Sequence, residues 1–278
     1  MEITTVMGCK VNCTFCPQKA LTHTYFAHDK ARLSKMSLET FRTCLDKIPA
    51  SVKIHFSGMA EPWLNKNCTE MLLYAAQKGH SLSVYTTLVG LTDADFTRIQ
   101  DFPYDHFVVH IADSLGNSHI PVTPEYLKLL QRVLAVMPER LGNNFKLSCH
   151  GPVHPDILAT CERHLPDVEV MKWMFDRAGN VQHERVKHQT HQGPIQCGSN
   201  GKLLNHNVLL PDGSVWLCCM DYALQHPLGN LLQLDYSQLF TTPEAQRILA
   251  AFDDDSLPLL CRNCHVAQPQ EVGALAVG

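Results

Sequence analysis

Three thiols stand close together near the start of the chain, in Cys9-Lys10-Val11-Asn12-Cys13-Thr14-Phe15-Cys16, directly after a short apolar run over residues 3–7. Thiolates are the usual protein ligands of iron–sulfur clusters, and a four-iron cube normally takes four of them. Three local thiols hold three irons and leave the fourth open to a small molecule, much as a catalytic metal keeps an exchangeable position while a structural one is closed. A zinc knuckle or a reactive redox thiol group is the other reading of this spacing. Zinc sites usually bring four local ligands, and the closest candidates, His23 and His28, break the usual spacing.

Twelve cysteines in a chain with no export signal point to metal binding or catalysis rather than disulfides. Cys44, Cys68, Cys149 and Cys161 fall in or beside helical or apolar segments and read as buried packing residues. The length of 278 residues allows one large domain, or a large one and a small one, and an apolar fraction of 45% supports a core of normal size. A net charge of −4, with no Lys/Arg run longer than a pair, argues against nucleic acid and anionic membrane surfaces. There is no apolar stretch long enough to span a bilayer and no basic-then-apolar leader, so a cytoplasmic protein is expected.

The elements that must position the thiols alternate along the chain. After the cysteine loop, a polar stretch over 20–35 reads as an active-site loop. Ser37 caps a helix running to about residue 48, with Phe41, Cys44 and Ile48 at helical spacing. Strand follows over 52–56, then helix over 67–78 ended by Gly79, strand over 82–85, helix over 93–99 opened by Thr92, and strand over 106–111. A helix over 124–136 is capped by Thr123 and buries Leu127, Leu130, Val133 and Leu134. Strand over 145–149, helix over 155–164 and strand over 168–174 complete six strands and about five helices, which implies parallel strands joined by crossovers. In such β/α folds chemistry gathers where strands end. The tips carry Thr86-Thr87, His110, Asp113-Ser114, His150 and Asp176-Arg177. Arg177 is the one preferred for a carboxylate or hydroxyl-rich ligand, since its fork holds two oxygens at once. Thr86 and Asp113 are candidates for cofactor contact.

From residue 181 the rhythm stops. Pro211-Asp212-Gly213 is a turn between strand-like runs over 205–210 and 214–218, and residues 243–252 form a short helix before Cys261-Arg262-Asn263-Cys264. Cys218 and Cys219, adjacent on a strand, are expected on opposite faces. If Cys219 faces the barrel mouth, it is placed to give a hydrogen atom to a substrate radical; a buried thiol or an exchanged ligand register are the alternatives. His183, His188 and His191 precede Cys197, with proton transfer as one possible role beside simple solvation.

The C-x₃-C-x₂-C loop, with Phe15 before its last Cys and Pro17 after it, resembles the radical S-adenosylmethionine (radical SAM) superfamily. The resemblance implies an α/β fold, a partial (β/α)₆ TIM-like barrel over 1–180. It also implies SAM bound through its amino and carboxylate groups to the open iron of a cluster on Cys9, Cys13 and Cys16, with Phe15 beside the cofactor. Ser57-Gly58-Met59-Ala60-Glu61-Pro62 is similar to the family's glycine-glycine-glutamate segment, which assigns Gly58 and Glu61 to SAM; Ala60 departs from the pattern. Cys197, Gly213-x₄-Cys218 and the final C-x₂-C resemble the twitch domain, a shortened relative of the SPASM domain, as a small α+β extension over 181–278. In that reading Cys197, Cys218, Cys261 and Cys264 close one auxiliary [4Fe-4S] cluster; a zinc ribbon uses the same four ligands. Two [4Fe-4S] clusters and SAM are thus expected.

The implied activity is a radical SAM oxidoreductase, a dehydrogenase or epimerase that takes hydrogen from a small polar, carbohydrate-like substrate and is reduced by a donor such as flavodoxin or ferredoxin. A SPASM-type peptide maturase is the runner-up, disfavoured because the chain begins almost at its first strand. An iron–sulfur electron-transfer protein without SAM chemistry is the third reading.

Overall fold

The computed structural model describes residues 1–27, 33–161, 168–171, 175–181, 183, 186–199, 201–204 and 206–270. Six strands, β1 (Glu2–Ile3), β2 (Ile54–Phe56), β3 (Leu82–Thr86), β4 (His106–Ile111), β5 (Phe145–Cys149) and β6 (Val168–Val170), lie side by side in chain order, all parallel. Parallel strands are buried on both faces and read as nearly continuous apolar runs. Val84, Phe107, Val109 and Leu147 accordingly lie in the core.

Between them run α1 (Gln18–Ala27), α2 (Leu38–Leu45), α3 (Cys68–Gln77), α4 (Asp93–Ile99), α5 (Pro124–Leu141) and α6 (Pro155–Cys161). Local chemistry starts the helices where the sequence expects it. Ser37 accepts from Thr40 N–H, Thr123 accepts from Tyr126 N–H, and Thr92 with Asp95 closes a reciprocal capping box. Gly79, at φ +84°, follows α3 in the left-handed conformation that glycine adopts without strain. The predicted packing cysteines Cys44, Cys68, Cys149 and Cys161 are all fully buried. The helix predicted to end at 164 and the strand predicted to end at 174 both run into positions outside the described residues.

Two expectations need correction. The stretch over 20–35 is not a loop at its start: α1 covers Gln18–Ala27, burying Gln18, Leu21 and Tyr25 on one face. Its polar His and Thr residues hid a stripe that packs against Met7, Met59, Trp216 and Tyr222. Helix α5 runs on through Pro138 to Leu141 because Met137, fully buried, carries its apolar stripe one turn further.

The C-terminal part is tied to the barrel more closely than the sequence suggests. Strand β7 (Ile195–Cys197) is followed by the hairpin β8 (Val208–Leu209) and β9 (Ser214–Trp216), by β10 (Pro227–Asn230), helix α7 (Pro243–Asp253) and β11 (Ala267–Pro269). The predicted hairpin forms, but β8 also pairs in parallel with β1, so one nine-stranded sheet runs β10-β9-β8-β1-β2-β3-β4-β5-β6. A separate antiparallel pair, β7 with β11, sets Cys197 opposite Ala267. Among the described residues no helix is long and apolar enough to cross a membrane.

Candidate active site

The cysteine loop leaves β1 at the same end of the sheet as the tips of β2 to β5, and one cavity collects them. Cys9, Cys13, Cys16 and Phe15 line it with Gly58, Glu61, Thr86, Thr87, His110, His150, Arg177 and Tyr222. The loop keeps its shape through Gln18, which the sequence reading missed. Its side-chain oxygen accepts from Cys9 N–H at 2.9 Å, while its amide nitrogen donates to Met59 O at 2.6 Å and to Cys16 Sγ at 3.2 Å. One residue thus joins the first and last thiols of the triplet to the tip of β2. An isolated Gln gives no signal of this in a sequence.

Gly58 is where the chain needs glycine. It sits at φ +67°, and a Cβ there would lie 2.3 Å from Thr4 Oγ1 and 3.0 Å from Thr4 N. Thr4 uses that same hydroxyl oxygen to accept from Met59 N–H. Glu61 is buried and accepts four hydrogen bonds, from Trp63 N–H, Thr86 Oγ1, Thr87 N–H and Thr87 Oγ1. Burial pushes its carboxyl above the usual range, and those bonds pull the other way. Glu61 therefore reaches the cavity while bracing the tips of β2 and β3.

Asp113 is not brought to the cavity. Its carboxylate accepts from the backbone N–H groups of Leu115, Asn117 and Ser118 and from the side chains of Asn117 and Ser118, so it organises its own loop. Ser118 and Ile120 of that loop line the site instead. Phe15 stacks on His150 with ring centroids 3.7 Å apart. His110 presents an Nδ1 with no hydrogen-bond partner among the described residues, and burial, then Arg177, pulls its pKa down to about 4. Arg177 enters from a strained turn in which Arg177, Ala178 and Gly179 all have φ between 50° and 84°. Among the described residues its buried Nε has no hydrogen-bond partner, Nη1 meets the Met220 sulfur at 3.6 Å, and the guanidinium lies over the Phe175 and Tyr222 rings. Among the described residues no oxygen fills the fork of that guanidinium.

A second cavity is lined by Cys197, Cys218, Cys219, Cys261 and Cys264. Cys218 and Cys219 follow β9, which ends at Trp216, and although both border this cavity they pack apart, Cys218 against the main core and Cys219, with Cys16, against the cluster of Met7, Tyr25 and Tyr222. Cys219 S–H donates to Cys218, which lowers the Cys218 pKa and raises that of Cys219. His226 supports the last cysteine pair: its Nε2 accepts from Leu260 N–H at 3.1 Å, and its Nδ1 lies 2.9 Å from Glu244 Oε1. His191 meets Cys264 O at 3.1 Å, and His188 and His265 lie 4.0 and 3.5 Å from buried Asp176. None of His183, His188 and His191 lines the first cavity.

Both thiol sets fit iron–sulfur clusters. Each thiol set rims one cavity, as the spread corners of a cube require. Burial, then neighbouring thiols, pushes Cys13 up to about 12; burial drives Cys264 to about 11. Such groups become thiolates when a cationic core holds them. Cys9, Cys13 and Cys16 would offer three thiols to a cluster at the first cavity, and Cys197, Cys218, Cys261 and Cys264 would offer four at the second.

Comparison with known proteins agrees. The SPASM family, an iron–sulfur cluster-binding domain, matches residues 197–265. Among solved structures, BtrN in complex with AdoMet and 2-DOIA is similar in fold at TM-score 0.62 and 14% identity, over 95% of this chain and 91% of that one. SuiB of Streptococcus suis, bound to its precursor peptide SuiA, is similar at 0.53 and 14%, over 95% of this chain and 69% of that one. The anSMEcpe protein with bound AdoMet and Cp18Cys peptide is similar at 0.50 and 15%, over 95% and 85%. No curated protein matches by sequence.

Proposed function

We propose that this chain, whose fold is similar to that of AdoMet-bound BtrN and whose residues 197–265 match the SPASM iron–sulfur domain, is a radical SAM enzyme that oxidises a small, hydroxyl-bearing, carbohydrate-like substrate. In this reading residues 1–180 serve SAM binding and residues 181–278 serve the auxiliary cluster. When bound, the two [4Fe-4S] clusters and SAM supply the redox chemistry, reductive cleavage of SAM to a 5′-deoxyadenosyl radical and uptake of the second electron taken from the substrate.

The observation that carries the reading is the shared cavity: three thiols, the β2 tip, His110 and Arg177 face one space. The backbone at Gly58 and the carboxylate of Glu61 stand at the tip of β2, beside the thiols, where an amino group held there is within their reach. Arg177 offers two donors to substrate oxygens. His110, neutral because burial depresses its pKa, accepts a hydrogen bond from a substrate hydroxyl at Nδ1. Phe15 and His150, stacked on each other, form an aromatic wall of that cavity.

Dehydrogenation is the leading reading and epimerisation its alternative: Cys219 lines the auxiliary cavity beside Cys218, and it also packs with Cys16 against the cluster that holds Met59 and Tyr222. A peptide substrate is the second reading, supported by the peptide-bound SuiB and anSMEcpe structures. The test is anaerobic reconstitution, reduction by flavodoxin, ferredoxin or dithionite, and assay for 5′-deoxyadenosine. Deuterium carried into that product from labelled sugars, aminocyclitols or peptides identifies the substrate class. Two intact clusters without any 5′-deoxyadenosine would leave an electron carrier.

A further inference from the structure

Tyr222 belongs to the C-terminal extension, yet its hydroxyl lies 3.1 Å from Cys16 Sγ, across a sequence separation of 206 residues. The side chain is 2% exposed and packed among Met7, Leu21, Tyr25, Met59 and Trp216, so its position is set by the core and not by the thiol. It stands four residues after Cys218 and three after Cys219, in a turn whose Asp221 carboxylate is fastened by Gln225 N–H and His226 N–H. The chain that carries an auxiliary thiol therefore also delivers a phenol to the SAM-side thiol.

Once Cys16 is an iron-bound thiolate, it has no hydrogen to give and only accepts. The Tyr222 O–H is then the donor, beside the amide of Gln18 on the same sulfur. Hydrogen bonds to cluster sulfurs stabilise the more negative, reduced state and are one of the levers that set reduction potential.

We propose that Tyr222 is a positioning residue by which the C-terminal extension raises the reduction potential of the cluster on Cys9, Cys13 and Cys16, through a hydrogen bond to Cys16 Sγ. The inference rests on the proposed ligation by that triplet. It makes the extension a partner in tuning the first cluster as well as the holder of the second.

The test is a redox titration of reconstituted full-length protein, followed by electron paramagnetic resonance. The variant lacking Cys9, Cys13 and Cys16 identifies the signal of the auxiliary cluster. Tyr222→Phe is expected to make the first cluster harder to reduce. At a fixed potential the ratio of reduced to oxidised cluster should fall about threefold to tenfold, a tenfold fall being about 59 mV for one electron. Trp216→Phe, which disturbs the same apolar cluster but removes a hydrogen bond to Ser214 and none to Cys16, is expected to leave that ratio unchanged. Fluorotyrosines at position 222, which change O–H acidity with little change of shape, should grade the ratio in order of acidity. A normal first cluster with the same ratio in Tyr222→Phe, or one that ignores fluorination, overturns the proposal. Absence of any first cluster in the parent protein would instead remove the ligand assignment itself.

Discussion

Thr87 holds Glu61 twice: its backbone N–H and its hydroxyl both donate to Oε2, at 2.6 and 2.7 Å. With Thr86 and Trp63 on Oε1, the carboxylate uses its acceptor positions to join the tips of β2 and β3. Glu61→Ala strands buried donors, each costing about 1–3 kcal/mol, so a total loss of at least about 3 kcal/mol is expected in denaturant unfolding. Weakened SAM binding at unchanged stability would assign Glu61 to the ligand alone.

Gly58→Ala forces a Cβ to within 2.3 Å of Thr4 Oγ1 at a positive φ. The expected cost is about 2–3 kcal/mol. Because Gly58 and the thiols share a cavity, iron loading at the first site should fall with it while the auxiliary cluster remains. Equal loss of both clusters would point to global unfolding.

Glu244 is held below the usual carboxylate range, first by the Arg247 guanidinium and also by His226. A carboxyl with a depressed folded pKa contributes stability at pH values above its unfolded pKa of about 4.3, and that stability disappears as pH falls through the lower folded value. Iron-free wild type should therefore melt above Glu244→Gln near neutrality, by about 1–2 kcal/mol of stability. The gap should close in acid. A gap that persists at low pH would mean the carboxylate charge is not what braces Leu260 and Cys261.

Arg177→Lys loses the two-pronged fork while keeping the charge. Substrate KM should rise about tenfold or more, as expected for losing a charge-assisted hydrogen bond of about 1.5–3 kcal/mol. SAM cleavage in the absence of substrate should be little changed. A parallel loss of SAM cleavage would place Arg177 on the cofactor.

Cys219→Ala is expected to make the same product at the same rate, since Cys219 sits beside Cys218 at the auxiliary cavity. Product that ceases to form, or loses its stereochemical inversion, would restore a hydrogen-donor role. Replacing both Cys261 and Cys264 by Ala should cut iron from about eight to about four atoms per chain.

Spacing in the chain was enough for most of what local forces govern, helix α1 and the last turn of α5 excepted. Thiols three and four positions apart must share a loop, Ser37, Thr92 and Thr123 cap the helices that follow them, and alternating apolar runs give parallel strands in chain order. What escaped the sequence depends on partners far along the chain. Gln18 matters because Met59 is beside it, Tyr222 because Cys16 is, and β8 because β1 offers a free edge. Asp113 looked like a ligand contact, yet the fold of its own loop consumes its oxygens, and Cys218 and Cys219 lie beyond a strand that ends two residues early. Hydrogen-bond partners and cavity walls are set by packing between segments brought together from a distance, and no pattern within one segment records which partner arrives.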